Sequence, residues 1–344
     1  MTPSLLAAAR AGDEAAFTQL TSPFRRELHL HCYRLLGSVT DADDLLQETM
    51  VAAWRGIGGF SGASSLRTWL YRIATNRCLN AIRNGKRRPP VVPVPPFEPP
   101  EPTRRADVTW LQPYPDAWID PAPGPPARFE AREAVRLAFV AALQRLPPRQ
   151  GAVLVLCDVL DFALADVAGM LGTTPTAVKG LRQRARATLR SDPSTGTSDV
   201  EARGSATDAA LAQRFADAYS ADDVEAVVAL LTDEAWLAMP PAPHVYVGTQ
   251  AVAGFLHASA DGRGGRRLEL VPTRANGQPA FACYLGELGG ATASPSGVLV
   301  LTPLGGRIAG ITRFLDARLP SIFGAAHPLG CGGPFGPALG PASG

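Results

Sequence analysis

Between Pro89 and Pro126 the chain carries fourteen of its thirty-two prolines. Each fixes its own φ and removes a backbone donor, so neither a helix nor a central strand can run through this stretch. The segment is expected to be an extended linker of polyproline character, and the fold must be built on either side of it. It also holds an aromatic island, Trp110, Leu111, Tyr114 and Trp118. A passive spacer has no use for such residues, so the island is expected to dock on a folded surface. With 344 residues and 46% hydrophobic content, two or three domains can each own a core.

Residues 3–88 read as helix throughout. Helices are expected near Ser4 to Ala11, from Asp13 as a cap, through Glu27 to Leu36, and from Thr40 or Asp41 to Trp54. The last of this series is Ser64 to Arg88. There Leu66, Trp69, Leu70, Ile73, Ala74, Cys78, Ala81 and Ile82 recur at three- and four-residue steps and make one apolar stripe. Arg67, Arg72, Arg77 and Arg83 stand off the stripe, and Lys86, Arg87 and Arg88 follow Gly85. No Asp or Glu lies between Glu48 and Glu98 to neutralise them locally. A basic helix face is often merely solvated. Here Asn76, Asn80 and Tyr71 are expected on the same exposed side, where they offer base-edge hydrogen bonds and a stacking surface, so a nucleic-acid backbone is the natural counter-charge.

Two features precede that helix. Asp41, Asp43, Asp44, Gln47 and Glu48 form an acidic surface beside Leu45, Leu46 and Met50, which reads either as N-terminal helix charge or as a docking patch for a basic partner. The Gly- and Ser-rich loop from Gly56 to Ser65 contains Phe60, and reads either as a connector or as a holder for an extruded base.

Beyond the linker, residues 128–191 return to helix. Arg128 to Leu146 is amphipathic, Pro147 and Pro148 break it, and Arg149 to Leu160 is strongly apolar. A short helix then carries Ala165, Val167, Ala168 and Leu171. Gly172 ends it, and Thr173 or Thr174 caps the next with Pro175 in its first turn. This is helix-turn-helix punctuation, although an ordinary helical hairpin with a basic exterior shares it. In the second helix Val178, Leu181, Ala185 and Leu189 face inward, leaving Thr176, Lys179, Arg182, Gln183 and Arg186 outward with no acid between Asp166 and Asp192. A helix read against the major groove needs that composition.

Residues 206–320 change character again. Thr207 to Leu231 reads as two helices. Strand-like runs follow at Ala235 to Met239, Leu268 to Thr273, Pro279 to Tyr284, Gly297 to Leu301 and Ile308 to Phe314, with Asn276-Gly277 and Gly305-Gly306 as hairpin turns. Helices followed by a curved antiparallel sheet predict an α+β cone enclosing a pocket. His244, His257 and Asp316 are candidate acids or bases for such a pocket, but they are isolated in sequence and no acid–base pair is visible. The Gly-, Pro- and Ala-rich tail, residues 321–344, is expected to be disordered.

Cys32, Cys78, Cys157, Cys283 and Cys331 are odd in number and match no zinc spacing, so they read as reduced thiols; no cofactor and no metal are expected. The first residues are too polar for a signal peptide and no run is apolar enough to span a membrane, which predicts cytoplasmic localisation.

These stretches together resemble a known family. HCYRLLGSVTDADDLLQETMVAAW with FSGASSLRTWLYRIATNRCLNAIRNGKRRP is similar to region 2 of the extracytoplasmic-function (ECF) sigma factors of the sigma-70 family. LQRLPPRQGAVLVLCDVLDFALADVAGMLGTTPTAVKGLRQRARATL resembles region 4. DAYSADDVEAVVALLTDEAWLAMPP, YVGTQAVAGFL, LVPTRANGQPAFACY and GGRIAGITRFLD resemble a SnoaL-like domain, and WLQPYPDAWID is similar to the linker of ECF factors that carry one. The implied architecture is multidomain: region 2 at 3–88, a Pro-rich linker at 89–127, the region 4 helix-turn-helix at 128–191, and an α+β SnoaL-like cone at 206–320.

The resemblance implies a non-catalytic function, promoter recognition on behalf of core RNA polymerase. Asp41, Asp43, Asp44, Leu45, Gln47 and Glu48 match the segment that grips the clamp helices of the largest polymerase subunit; the polymerase flap is the other implied contact. Phe60, Ser61, Ser64, Arg72, Asn76, Asn80, Arg83, Lys86, Arg87 and Arg88 match the minus-ten element reader, with Trp69 and Tyr71 where the family helps open the duplex. Thr176, Lys179, Arg182, Gln183 and Arg186 match the minus-thirty-five helix. The SnoaL-like domain implies regulation, either by sensing a small ligand in its pocket or purely by packing on regions 2 and 4 or their linker. The chain departs from the family at Gly151, at Phe162-Ala163-Leu164 and at Lys179-Gly180. Rival functions are a cone-fold cyclase or isomerase tethered to DNA, and a helix-turn-helix regulator that never joins polymerase.

Overall fold

The computed structural model describes residues 3–85, 97–105, 111–119, 136–190, 206–287 and 292–324. Lys86, Arg87, Arg88, Trp110, Cys331 and residues 325–344 of the expected tail lie outside the described residues; the first residues of that tail are ordered, since Ser321 and Ile322 complete a short helix and Ile322 and Phe323 pack against the core.

Five helices form the first module: α1 (Pro3–Arg10), α2 (Glu14–Thr21), α3 (Arg25–Leu36), α4 (Val39–Gly56) and α5 (Leu66–Arg83). Local chemistry sets their ends. Asp13 accepts the Ala16 amide at 3.0 Å and starts α2. Gly37, at φ 70°, lets α3 turn out of its last coil. Ser38, rather than Thr40 or Asp41, caps α4 by accepting the Asp41 amide at 3.1 Å, so the helix starts at Val39. Ser65 caps α5 through the Thr68 amide. The apolar stripe of α5 is where the spacing puts it, with Leu66, Trp69, Leu70, Ala74, Cys78 and Ala81 buried.

The second module holds α6 (Leu137–Arg145), α7 (Pro148–Leu154) running into a π turn (Val155–Val159), α8 (Leu164–Leu171) and α9 (Pro175–Arg190). Gly172 is left-handed at φ 60° and Thr174 Oγ1 accepts the Ala177 amide, so the helix-turn-helix punctuation reads correctly. Val178 and Ala185 are fully buried, and Leu181 and Leu189 pack partly against the core.

The third module is α+β. Helices α10 (Ala206–Ser220) and α11 (Val224–Ala229) precede strands β2 (Leu231–Ala238) and β3 (His244–Val247), helix α12 (Thr249–Gly262), strands β4 (Arg267–Ala275), β5 (Gln278–Gly286), β6 (Ala293–Leu304) and β7 (Arg307–Phe314), and the short α13 (Leu319–Ile322). A two-residue linker strand, β1 (Arg104–Arg105), joins the same sheet, whose order is β1-β3-β2-β7-β6-β5-β4. The sheet is not wholly antiparallel as expected: β2 and β7 pair in parallel, because the long excursion between them works as a crossover. Asn276-Gly277 turns β4 into β5 and Gly305-Gly306 turns β6 into β7.

Alternation along β6 explains how the modules join. Leu299 and Leu301 point into the cone with Phe215, Phe281 and Ile311. Val298 and Val300 point the other way, and with Ala275, Ala280, Phe314 and Leu319 they merge into the core shared by both helical modules and the linker island. The sheet therefore has apolar residues on both faces because both are covered.

Candidate nucleic-acid interface

On α4 the side chains of Asp43, Asp44, Gln47 and Glu48 are exposed, Asp41 is half-buried, and Leu45 is buried beneath them. Val51, half exposed, continues this face by one turn. The patch thus combines acid with apolar surface, as a protein-docking face needs.

On α5 the structure separates residues that the sequence grouped. Arg72, Asn76, Asn80 and Arg83 are exposed, as are Ser61 and Ser64 in the preceding loop. Tyr71 is not: its ring is wholly buried, 5.0 Å from His31 and 5.1 Å from Phe162. Helix α5 is gripped by α3 on one side and by the second module on the other, so its buried face is wider than one stripe. Phe60 is also buried, its ring 5.2 Å from Trp69, and its carbonyl accepts from Arg10, so in this conformation it closes the core rather than offering itself to a base. The cations are less free than the local absence of acids suggests. Arg67 pairs with Glu27 at 3.2 Å and lies over the Phe162 ring, while Arg77 pairs with Glu48 at 2.9 Å. Both acids come from other helices, which a scan of neighbouring residues cannot find. Asn76 Nδ2 donates to the Met170 carbonyl of α8 at 3.0 Å, so the second module sits directly on this helix.

The α3–α5 seam is polar at its centre. His31 and Thr75 share a 2.8 Å hydrogen bond, and both are fully buried. Burial, with Arg34 and Arg67 nearby, pushes the His31 pKa down to about 3. Arg34 is itself buried, and its pKa falls to about 10 for the same first reason.

On α9 Thr176, Lys179, Gln183 and Arg186 are exposed and Arg182 is half-buried, forming one outward basic face. Arg182 and Arg186 both pair with Asp158, in the π turn after α7. A lone acid within the apolar run Leu154 to Val159 was the available sign of this partner.

The linker island is clasped between α3 and the β4–β5 turn. Gln112 donates its amide to Gly37 O at 2.7 Å, and its Oε1 accepts the Val39 amide at 2.9 Å, so a linker side chain helps cap α4. The Tyr33 hydroxyl donates to Gln112 O and accepts from Asn276 Nδ2, each at 2.9 Å. Asn276 Oδ1 accepts the Tyr114 amide at 2.8 Å, and Asn276 N returns a bond to Tyr114 O. Asp116 takes the Gly277 amide and the Arg274 Nε. Asn276 is fully buried at φ 55°. The sequence marks it as a turn residue and gives no sign that its amide joins two modules.

The three candidate acid–base residues of the cone do not meet. Asp316 is held by Arg318, which with backbone hydrogen bonding keeps its carboxyl below the usual range against the opposing effect of burial. His257 is exposed beside Glu225, and His244 lies on β3. Among the described residues no cluster of metal-binding side chains occurs, no helix is long and apolar enough to cross a membrane, and Cys32, Cys78, Cys157 and Cys283 are buried free thiols.

Two basic helical modules around a clasped linker, followed by an α+β cone, define a DNA-binding protein of the sigma-70 type. Family models agree: sigma-70 region 2 matches residues 20–88, sigma-70 region 4 residues 136–189, and the SnoaL-like domain residues 212–311. The chain is 43% identical to the ECF RNA polymerase sigma factor SigG of Mycobacterium tuberculosis over 323 residues, covering 93% of this chain and 86% of that protein. It is 35% identical to SigM from the same species over 54% of its length and 81% of the relative's. The crystal structure of M. tuberculosis SigJ superposes with a TM-score of 0.55 at 23% identity, over 91% of this chain and all of that one, which establishes the shared fold. The chain belongs to the ECF RNA polymerase sigma factors, in a form that carries a fused SnoaL-like domain.

Proposed function

We propose that this chain binds core RNA polymerase through the α4 face of Asp41, Asp43, Asp44, Gln47 and Glu48, which buried Leu45 anchors from beneath, and presents α5 and α9 to the two elements of a promoter. Exposed Arg72, Asn76, Asn80 and Arg83 support minus-ten contact by α5, and Thr176, Lys179, Gln183 and Arg186 support minus-thirty-five contact by α9. Trp69, Tyr71 and Phe60 serve by fixing α5 and its loop, and reach DNA only if that core opens.

The SnoaL-like domain acts as a regulator of this engagement. The observation that carries this reading is the clasp around Tyr114 and Asn276, which keeps the linker folded while α8 accepts a hydrogen bond from Asn76 and so stays docked on α5. In that closed form α5 and α9 cannot separate to reach two sites. A small ligand in the SnoaL-like domain would be the input to the regulator; in this conformation the cleft of Tyr219, Asp222, Val224, Leu256 and Arg263 is closed by the Arg263–Asp222 pair and has room for about one water molecule.

Run-off transcription with purified core polymerase tests the reading. The full chain, or a variant with the clasp weakened, yields a promoter-specific transcript and co-purifies with core. Absence of both for both proteins contradicts it.

A further inference from the structure

Asp158 is an acid on a module whose partner is a polyanion. Its Oδ1 accepts Arg182 Nε at 2.5 Å and its Oδ2 accepts Arg186 Nε at 2.7 Å. The two arginines stand one turn apart on the outward side of α9, so a single carboxylate holds both. The acid is the sunken member, 19% exposed, against 32% and 50% for the arginine side chains. The guanidinium groups therefore lean on Asp158 from their inner edge and keep their outer ends in solvent.

Which edge is taken matters chemically. A guanidinium can meet an acceptor pair side-on, through Nε and one Nη, or end-on, through both Nη atoms. With Nε occupied on both arginines, the end-on fork remains. It suits the paired N7 and O6 acceptors that guanine displays in the major groove, and holding the side chains in place lowers the ordering cost of contact.

We propose that Asp158 is a positioning residue for promoter reading: it fixes Arg182 and Arg186 as two end-on forks directed at guanine edges, trading general attraction to phosphate for base choice. This rests on the reading that α9 faces the minus-thirty-five element. The exchange has a defined signature, because an acid near the groove opposes non-specific binding while a fixed donor pair sharpens specific binding.

The test uses holoenzyme made from core polymerase and the full chain, carrying Asp158→Ala, Asp158→Asn, or Arg182→Ala with Arg186→Ala, bound to promoters randomised at the upstream element and to non-specific duplex. For Asp158→Ala the expected results are a roughly tenfold loss of guanine discrimination at the positions contacted, non-specific binding equal to or tighter than wild type, and a salt slope steeper by about one. Asp158→Asn keeps one acceptor oxygen and falls between. If Asp158→Ala leaves the base preference unchanged, or lowers specific and non-specific binding in equal proportion together with Tm, Asp158 is a structural staple and the proposal is overturned. The double arginine variant separates the two failures. Should it relax the preference while Asp158→Ala does not, only the positioning role is lost. Should it leave the preference intact, α9 does not read the element through these residues, and both readings fall.

Discussion

The two basic helices are held in opposite ways. Helix α5 is engaged on most of its circumference: its stripe is core, Tyr71 is sealed by His31 and Phe162, Arg67 and Arg77 are paired, and Asn76 donates to α8. Helix α9 is anchored mainly by Val178 and Ala185 and keeps an open outer face, restrained by Asp158 alone among the acids that pair with it in the described residues. The difference teaches where control can act. The helix assigned to strand opening is the one whose aromatic residues, Trp69 and Tyr71, the rest of the chain buries, while the helix assigned to upstream reading keeps its outer face available.

The largest effect expected at neutral pH comes from breaking the clasp that maintains this contrast. Asn276→Gly keeps the left-handed backbone that φ 55° requires and removes the side-chain bonds to Tyr33 and Tyr114. It should weaken docking by about 2–3 kcal/mol, since the buried Tyr114 amide loses its Asn276 acceptor and the Tyr33 hydroxyl loses one of its two hydrogen bonds. Hydrogen exchange should quicken in α5, and transcript yield at limiting core should rise. Unchanged exchange in α5 would mean that the clasp does not govern its cover.

The next effect is a pH dependence confined to the α3–α5 seam. His31 has a folded pKa of about 3 against an ordinary value near 6.5, so the unfolded chain binds the extra proton between those limits. Its contribution is complete above about pH 6.5 and is lost as pH falls toward 3, at up to about 1.4 kcal/mol per pH unit. His31→Gln should flatten that part of the profile in equilibrium unfolding of the whole chain. A slope that survives the substitution would assign the protons elsewhere, with His29, also lowered by burial, as the first place to look.

Asn80→Ala sharpens the assignment within α5. It should slow or weaken open-complex formation by roughly tenfold, the order of a lost base contact, with core binding intact. Equal loss of core binding would show that this residue belongs to the polymerase face instead.

The smallest effect belongs to Asn76→Ala. Losing the 3.0 Å bond to Met170 should loosen α5 from α8 by about 1 kcal/mol, seen as modestly faster exchange at the α8 end. If exchange does not move, packing of Phe162 against Tyr71 carries the contact by itself.

Legibility in the sequence followed the range of the interaction. Stripes, caps and turns depend on residues a few positions apart, so the α5 stripe, the Asp13 cap, Gly172 and the two glycine hairpins were readable. The docking of the aromatic island was also readable, because Tyr114 and Trp118 are too apolar for a solvated spacer. Long-range pairing was not. Glu27 and Glu48 neutralise arginines on another helix, and Gln112 caps a helix more than seventy positions before it. Tyr71 looked exposed because one stripe predicts one buried face, while two partners bury more. Strand β3 and helix α12 escaped notice between stronger strand signals, and the parallel β2–β7 pair is a matter of topology that alternation does not encode. For the site, the outward face of α9 was legible, whereas its acid partner and the second job of Asn276 were not.

The central claim is that α5 and α9 are held together in the free chain and separate on core polymerase. Spin labels at Gln19, on α2 of the module that holds α5, and at Thr188 on α9, both exposed and outside the assigned contacts, measure the separation of the two modules in the free chain, in Asn276→Gly and in holoenzyme. The account predicts a single short distribution in the free chain, a broader and longer one in Asn276→Gly, and a long one in holoenzyme. The same distribution in all three samples would contradict it.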